Sequence, residues 1–409
     1  MAINNKEGKK ANRTKLQIST SRQLLAEEPL YQADEIRRYD LDWVRVLVVL
    51  MLIPFHAALI YLDDEPFYIK NGELSIIFDE PVSFLNSWGM QLLFVVAGAA
   101  CWFSLKNARA GQFIKKKLLR LLLPLLFGIL VIVPPMPYLA LLNHSPYQGT
   151  YWDYYPHFFD FDPEDFKGYN GHFTPSHLWF VVFLFVLSLI ALPLFSWFKK
   201  ERGQQFISWL ANLCEKPGVI FLGALPLLLT DGFPDLGDDT QNPLKCLVLM
   251  ILGYVLMSNP RFQQALDRQK FLSLLLAIAA SVTFIMIRQW GLSQPSFSLG
   301  STIYDVVHDF NLWAIVLTLF GLGHSYFNNP GKAWQYLNEA SYPVYILHLT
   351  IIVFIGFYVV QLEMILVLKF LMTVLGSFAA TFGVYELVVR RSNLARRLLG
   401  MKLLQQHTK

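Results

Sequence analysis

The sequence is poor in charged residues and in cysteine. Asp, Glu, Lys and Arg make up 16% of its 409 residues, whereas a soluble chain carries about a quarter. Hydrophobic residues make up 54%, so the composition indicates a protein that lies in lipid. The three cysteines, Cys101, Cys214 and Cys246, are odd in number and have neither disulfide nor metal-site spacing. We therefore expect no bound metal.

The first 36 residues also lack a long apolar run, and they are polar and basic. A cleavable signal peptide would need such a run, so the first apolar segment is expected to act as an uncleaved signal-anchor. Few large apolar groups are available to build a core here. Residues 1–36 are therefore predicted to form a disordered cytoplasmic tail.

Ten apolar segments follow, and most have the roughly 20 residues that a helix needs to cross a bilayer. They cover residues 43–62, 82–105, 118–142, 178–198, 219–230, 243–258, 271–290, 310–323, 342–360 and 364–389. The pattern predicts an all-α, polytopic integral membrane helix bundle of about ten transmembrane helices. Residues 219–230 are short and contain Pro226, so a partial span is the alternative there.

Lys and Arg are sorted between the two sides of the predicted bundle. The tails and alternate loops that share a side with the N-terminus hold 28 of the 34, and the opposite loops hold Lys70 and Lys167. The positive-inside rule places the N-terminus in the cytoplasm, and ten spans return the C-terminus there. Residues 391–409 are predicted to be a basic cytoplasmic tail. The net charge of +4 thus reflects topology and predicts no nucleic-acid partner.

Two ionisable residues interrupt the first apolar segment. Arg45 lies at its entrance, and His56 follows eleven positions later, about three helical turns away on the same face. Asp42 precedes Arg45 by one turn and can pair with it. Arg45 alone is typical of a snorkelling anchor, and His56 alone of an interhelical hydrogen bond. Together with the carboxylate they favour a functional site that faces the bundle interior.

Five segments resemble, in order, the motifs of membrane acyltransferase family 3. They are Arg45 followed by ten residues and His56, the small-residue run 93–100, the basic run 113–120, His-Leu-Trp-Phe at 177–180, and Ser-Tyr-x-x-Tyr-x-x-His at 341–348. Ala97 replaces a usual Ser, and Lys117 a common Arg. Residues 53–61 and Tyr385-Glu386 resemble the branch that succinylates osmoregulated periplasmic glucans. The resemblance implies an acyltransferase transmembrane domain over residues 37–390.

The resemblance also implies roles for single residues. His56 would be the catalytic base, with Arg45 and Asp42 beside it in the catalytic set. The remaining assignments place the acyl-coenzyme A donor on Arg38, Lys117, Arg120 and His348, and the acceptor on His177 and Trp179. From the residues alone, the basic run 113–120 is also typical of topology signalling, and Trp179 of an interfacial aromatic belt.

These expectations combine into a multi-pass enzyme of the cell membrane. It would move an acyl group, acetyl or succinyl, from cytoplasmic acyl-coenzyme A to a hydroxyl of an extracytoplasmic glycan or cell-envelope carbohydrate. A neutral imidazole in an apolar bundle suits a hydroxyl substrate. Acyl-coenzyme A would be a substrate, and no permanently bound cofactor is expected. The alternative is a transporter of a small solute, because buried charges and proline-broken helices also line solute pathways.

Overall fold

The structure is a computed structural model. It describes residues 38–63, 66–106, 108–236, 241–290, 298–327 and 331–404. The chain divides into a unit Met1–Arg38 and a unit Tyr39–Lys409. The predicted tail of residues 1–36 lies outside the described residues, and the account below concerns the second unit.

The described part of this unit is helical and contains no β-strand. The helices, in chain order, are α1 Tyr39–Leu59, α2 Asp79–Asn86, α3 Gly89–Lys106, α4 Ala110–His144, α5 Tyr151–Tyr154, α6 Trp179–Ile190, α7 Leu192–Phe198, α8 Glu201–Cys214, α9 Leu225–Leu228, α10 Pro243–Ser258, α11 Pro260–Gln289, α12 Leu299–Tyr326, α13 Lys332–Val359, α14 Leu366–Val384 and α15 Asn393–Leu398. Short 3-10 turns are Ile76–Phe78, His157–Phe159, Pro163–Asp165, Ser176–Leu178 and Val219–Ala224, and a π-helical turn, Tyr385–Val389, extends α14.

Seven of these helices are long and apolar enough to cross a membrane. The count becomes eight if α6 and α7, which are bent by 49° at their junction, form one span. Two shorter apolar helices, Val219–Leu228 and α10, occupy the remaining predicted positions. All ten predicted segments therefore lie in helices, which confirms a multi-pass, all-helical fold. That ten of them cross the bilayer, and that both termini are cytoplasmic, stay predictions.

The segment Val219–Leu228 is short: it consists of six residues of 3-10 helix followed by four residues of α-helix. At the rise of each helix type it is about 18 Å long, whereas the hydrocarbon core of a bilayer is roughly 30 Å thick. The Trp313 indole donates a hydrogen bond to the Ile220 carbonyl at 2.9 Å, which holds the segment against α12. Its length favours the partial span that the sequence left open.

Helix α4 contains two π-helical turns, Leu118–Leu122 and Gly128–Ile132. Pro124 and Pro134 follow them closely, and proline has no amide hydrogen to donate to the carbonyl one turn earlier. The turns widen the helix so that the Leu123 and Val133 amides reach carbonyls five residues back. The predicted proline-broken third span is thus one long helix with two local irregularities.

Helix α1 lies at the centre of the bundle and packs against α3, α12, α13 and α14. Helices α3 and α10 form another extensive pair. A Cβ atom on Gly98 would lie 1.8 Å from the Met250 carbonyl oxygen, and one on Gly253 would lie 1.9 Å from that of Val95. The two backbones are therefore in direct contact, which the small residues of the run 93–100 allow.

Candidate active site

His56 lies near the end of α1, the central helix. Its Nδ1 atom is 2.8 Å from the Leu52 carbonyl oxygen and 3.3 Å from Nε2 of His348. Because a carbonyl oxygen only accepts hydrogen bonds, Nδ1 of His56 carries the hydrogen. No described residue bonds its Nε2 atom, which therefore keeps a free lone pair. This is the tautomer that a general base requires at Nε2.

His348 lies behind His56 on α13. Its Nδ1 atom is 2.6 Å from the Tyr345 carbonyl oxygen, so it carries the hydrogen and leaves Nε2 as an acceptor toward His56. The predicted segment 342–360 would put His348 about 9 Å into its helix, but α13 begins at Lys332, ten residues earlier. His348 is therefore about 24 Å along the helix and fully buried. Its observed contact is with His56.

His177 joins the same cluster from the turn before α6. Its Nε2 donates to the Ile346 carbonyl oxygen at 2.9 Å, and the Tyr345 hydroxyl donates to the backbone carbonyl of His177. The preceding residue, Ser176, has a φ of 48°, a left-handed value that is uncommon outside glycine. The Tyr68 hydroxyl donates to Ser176 at 2.9 Å and helps to hold this turn. The Nδ1 atom of His177 is buried without a hydrogen-bond partner among the described residues.

Three predicted motifs therefore meet at one point. The rings of His56 and His348 are 5.0 Å apart between centroids, and those of His177 and His348 are 5.2 Å apart. These histidines are 121 to 292 positions distant in the chain, so their meeting depends on the packing of α1, α6 and α13. In the described part of the chain, no cluster of metal-binding residues was found here or elsewhere.

A cavity of about 710 Å³ lies in front of His56 and His177. Its walls come from the second half of α1, from α2 and the start of α3, from the loop before α6 and from the adjoining ends of α11 and α12. The polar, Tyr and Trp residues of the lining are His56, Tyr68, Asp79, Ser83, Asn86, Ser87, Trp88, Gln91, Lys167, Tyr169, Thr174, Ser176, His177, Trp179, Gln241, Arg288, Tyr304, His308 and Tyr345. His56, His177 and Trp179 thus line one cavity. The roles of His56 as a base and of His177 and Trp179 in acceptor binding stay predictions.

Sequence reasoning missed several residues in this cavity. Gln91 and Trp88 are buried, and Oε1 of Gln91 and Nε1 of Trp88 have no hydrogen-bond partner in the described chain. His308 and Arg288 line the side formed by α11 and α12. Arg288 could have been found from sequence, because it is a charge within an apolar segment. Trp88 and Gln91 gave no such signal, since an interfacial Trp and Gln are ordinary at a helix end.

Arg45 lies outside the cavity lining, toward the start of α1. Its guanidinium is 3.0 Å from the Asp42 carboxylate one turn earlier, which confirms the predicted pairing. It also donates to the side-chain oxygen of Asn338 on α13. Arg45 therefore connects two helices that carry His56 and His348. Asn338 was not predicted, because an asparagine at that position has no pattern of its own.

Lys117 and Arg120 also lie away from the cavity lining. Lys117 Nζ is 3.6 Å from the Cys101 sulfur and stands over the Phe113 ring, and Arg120 is exposed. Arg120 lies within the π-helical turn that begins at Leu118, so its alignment with Lys117 differs from that of two residues in a regular α-helix. Arg38 belongs to the N-terminal unit, so its predicted contact with the donor stays a prediction.

The fold and these motifs belong to a membrane acyltransferase. The chain matches the family model described as an acyltransferase domain over residues 38–386, and it belongs to that family, acyltransferase family 3. Among curated proteins, it is similar to glucans biosynthesis protein C of Salmonella heidelberg, Salmonella typhi and Salmonella typhimurium. Each is 23% identical over 339 residues, which cover 79% of this chain and 84% of the relative. No solved structure matches.

Proposed function

We propose that the protein transfers an acyl group from acyl-coenzyme A, supplied on the cytoplasmic side, to a hydroxyl of an extracytoplasmic glycan. Membership of the family supports the acyltransferase activity. The relatives are named for glucan biosynthesis, which favours a glucan as the acceptor here. Acetyl and succinyl both remain candidates for the acyl group, and the setting is the cell membrane.

The observation that carries the proposal is the free Nε2 atom of His56 at the cavity. Nδ1 is occupied by Leu52 and His348, so Nε2 alone can take a proton. The cavity also holds His177 and Trp179, the residues that the motifs assign to the acceptor. Its walls include the loops that the charge distribution predicts to be extracytoplasmic. A hydroxyl could therefore reach the base from that side.

The reaction would proceed by general base catalysis. His56 Nε2 removes the proton of the acceptor hydroxyl, and the oxygen attacks the thioester carbonyl carbon. The tetrahedral intermediate collapses with cleavage of the carbon–sulfur bond, and the coenzyme A sulfur takes the proton from His56. An ester and a free thiol result. Base loss in such a step costs on the order of 10² to 10⁴ in rate.

His348 would act on His56 and not on the donor. When His56 takes a proton, its Nδ1–H bond to His348 Nε2 becomes charge-assisted and stronger. The resemblance implied a contact between His348 and acyl-coenzyme A, but the observed distance to His56 of 3.3 Å favours a positioning role. We therefore assign His348 to the orientation of the base.

The donor phosphates would bind Lys117 and Arg120 near the start of α4. Lys116 also interacts electrostatically with both residues and with Lys402 of the C-terminal segment, so several cations gather there. A cluster of cations suits phosphate groups. Arg45, which contacts Asp42 on α1 and Asn338 on α13, would fix these two helices relative to each other on the donor side of His56.

The test is transfer by the purified protein in detergent. Acetyl- or succinyl-coenzyme A is mixed with neutral gluco-oligosaccharides, thiol release is followed with a colorimetric reagent, and the product mass is measured. We expect acyl esters of the oligosaccharide in proportion to the thiol released. Absence of any ester with either donor and a range of glycans, for protein that is folded and pure, would contradict the proposal.

A further inference from the structure

A third imidazole, His308, lines the cavity on the side of α12. Its Nδ1 atom is 3.0 Å from the carboxylate of Asp309, so Nδ1 carries the hydrogen and donates it. No described residue bonds Nε2, and 16% of the side chain is exposed. The ring lies 5.8 Å from that of Phe284 and is stacked near that of Tyr304. His308 is thus held in one orientation with a free acceptor atom.

The carboxylate that orients His308 is itself fixed by a buried network. Asp309 is fully buried, and its Oδ1 atom also accepts from Lys245 Nζ at 2.8 Å. Lys245 in turn contacts Asp231 at 2.5 Å. Burial of the Asp309 carboxylate is costly unless it is paired, and here Lys245 and His308 both donate to it. The paired carboxylate in turn fixes the tautomer and ring orientation of His308.

The charges of this wall indicate a neutral ligand. Lys245 lies against two carboxylates, and Arg288 makes two hydrogen bonds of 3.1 Å to Asp79. Each of these two cations has a carboxylate partner, so neither attracts an anionic ligand strongly. The free imidazole nitrogen of His308, beside the Phe284 and Tyr304 rings, is suited to accept a hydrogen bond from a hydroxyl.

We propose that His308 is a binding residue for the acceptor and holds a hydroxyl of a neutral, polyhydroxylated carbohydrate at the outer end of the cavity. Asp309 and Lys245 are its positioning residues. The acceptor would thus be held at His308 while another of its hydroxyls meets His56. This proposal rests on the proposed function, because it takes the cavity to be the acceptor site, but it makes a separate claim about which residue binds the acceptor.

The experiment measures binding without donor or turnover. Purified full-length protein in detergent is titrated with neutral gluco-oligosaccharides by calorimetry, and with oligogalacturonate as an acidic counterpart. His308→Phe keeps the ring but removes the acceptor nitrogen, and it should weaken binding of the neutral sugar about tenfold, the value of one lost hydrogen bond. His308→Gln keeps an acceptor and should bind within a few fold of the wild type.

His324→Phe is the matched control. His324 lies on the same helix and also bonds an aspartate, Asp267, at 3.0 Å, but it does not line the cavity. We expect its variant to bind like the wild type. Unchanged binding in His308→Phe, tighter binding of the acidic sugar, or no saturable binding by the wild type would each overturn the inference. Because no acyl donor is present, a failure of acyl transfer would count against the proposed function alone.

Discussion

Replacement of His348 tests whether it orients His56. His348→Leu keeps a similar volume but removes the acceptor that lies 3.3 Å from His56 Nδ1. A hydrogen bond to a charged group contributes about 1.5–3 kcal/mol, which corresponds to roughly 10- to 150-fold in rate. The Leu52 carbonyl at 2.8 Å remains as a second acceptor. We therefore expect kcat to fall about 10- to 100-fold, less than for loss of His56 itself.

The assay is the initial rate of thiol release over a range of donor and acceptor concentrations. Because the hydrogen bond strengthens only as His56 becomes charged, kcat and kcat/KM should fall together, with little change in either KM. His348→Gln, which offers an oxygen in place of Nε2, should recover part of the activity. Thr350 lies on the same helix as His348 and donates to the Ile132 carbonyl of α4; Thr350→Val removes that hydrogen bond and serves as the control.

Turnover of His348→Leu at the wild-type rate would contradict a role for His348 in orienting His56. A variant that raises only the KM for the donor and leaves kcat unchanged would also contradict that role. That second result would support the contact with acyl-coenzyme A that the family resemblance implied. The two outcomes separate a positioning residue from a donor-binding residue in one set of measurements.

Three further predictions follow from other contacts. Lys117→Gln and Arg120→Gln should each weaken acyl-coenzyme A binding in calorimetry without altering acceptor affinity, and unchanged donor affinity in both would leave these residues a topological role. Arg45→Lys replaces the guanidinium, whose Nη2 atom contacts both Asp42 and Asn338, with an ammonium of different reach and geometry, so activity should fall more than twofold at equal membrane abundance; near-normal activity would make Arg45 a plain anchor. Gly98→Leu forces α3 from α10 and should destabilise the fold by about 1–3 kcal/mol, seen as a lower Tm; an unchanged Tm would contradict backbone contact there.

Much of the fold was predictable because apolar length and charge sorting act locally in the chain. Each of the ten predicted segments lies in a helix, and α1 contains Arg45 and His56 as expected. Helix bounds were harder. Polar residues such as Asn338 and Glu339 predict a loop before residue 342, yet α13 begins at Lys332. The contacts of Asn338 with Arg45 and of Glu339 with Arg396 offset the cost of placing these polar side chains in the helix.

The candidate site was predictable only where one motif carried its own signal. His56, His177 and His348 were each selected from sequence, but their mutual contact was not, since three separate helical segments create it. The charges inside apolar segments show the same limit. Lys245, Arg288 and Lys369 lie within predicted apolar segments, whereas the partners named for them here lie 64, 209 and 298 positions away. No periodicity within one segment can specify such pairs.

The measurement that tests the central claim most directly is the turnover of His56→Ala beside the wild type. Both proteins are purified in detergent, their folding is compared by Tm, and ester formation on gluco-oligosaccharides is quantified by mass spectrometry. The account predicts that kcat falls on the order of 10² to 10⁴ while donor binding, measured by calorimetry, stays intact. Wild-type turnover by a folded His56→Ala protein would contradict the assignment of His56 as the base.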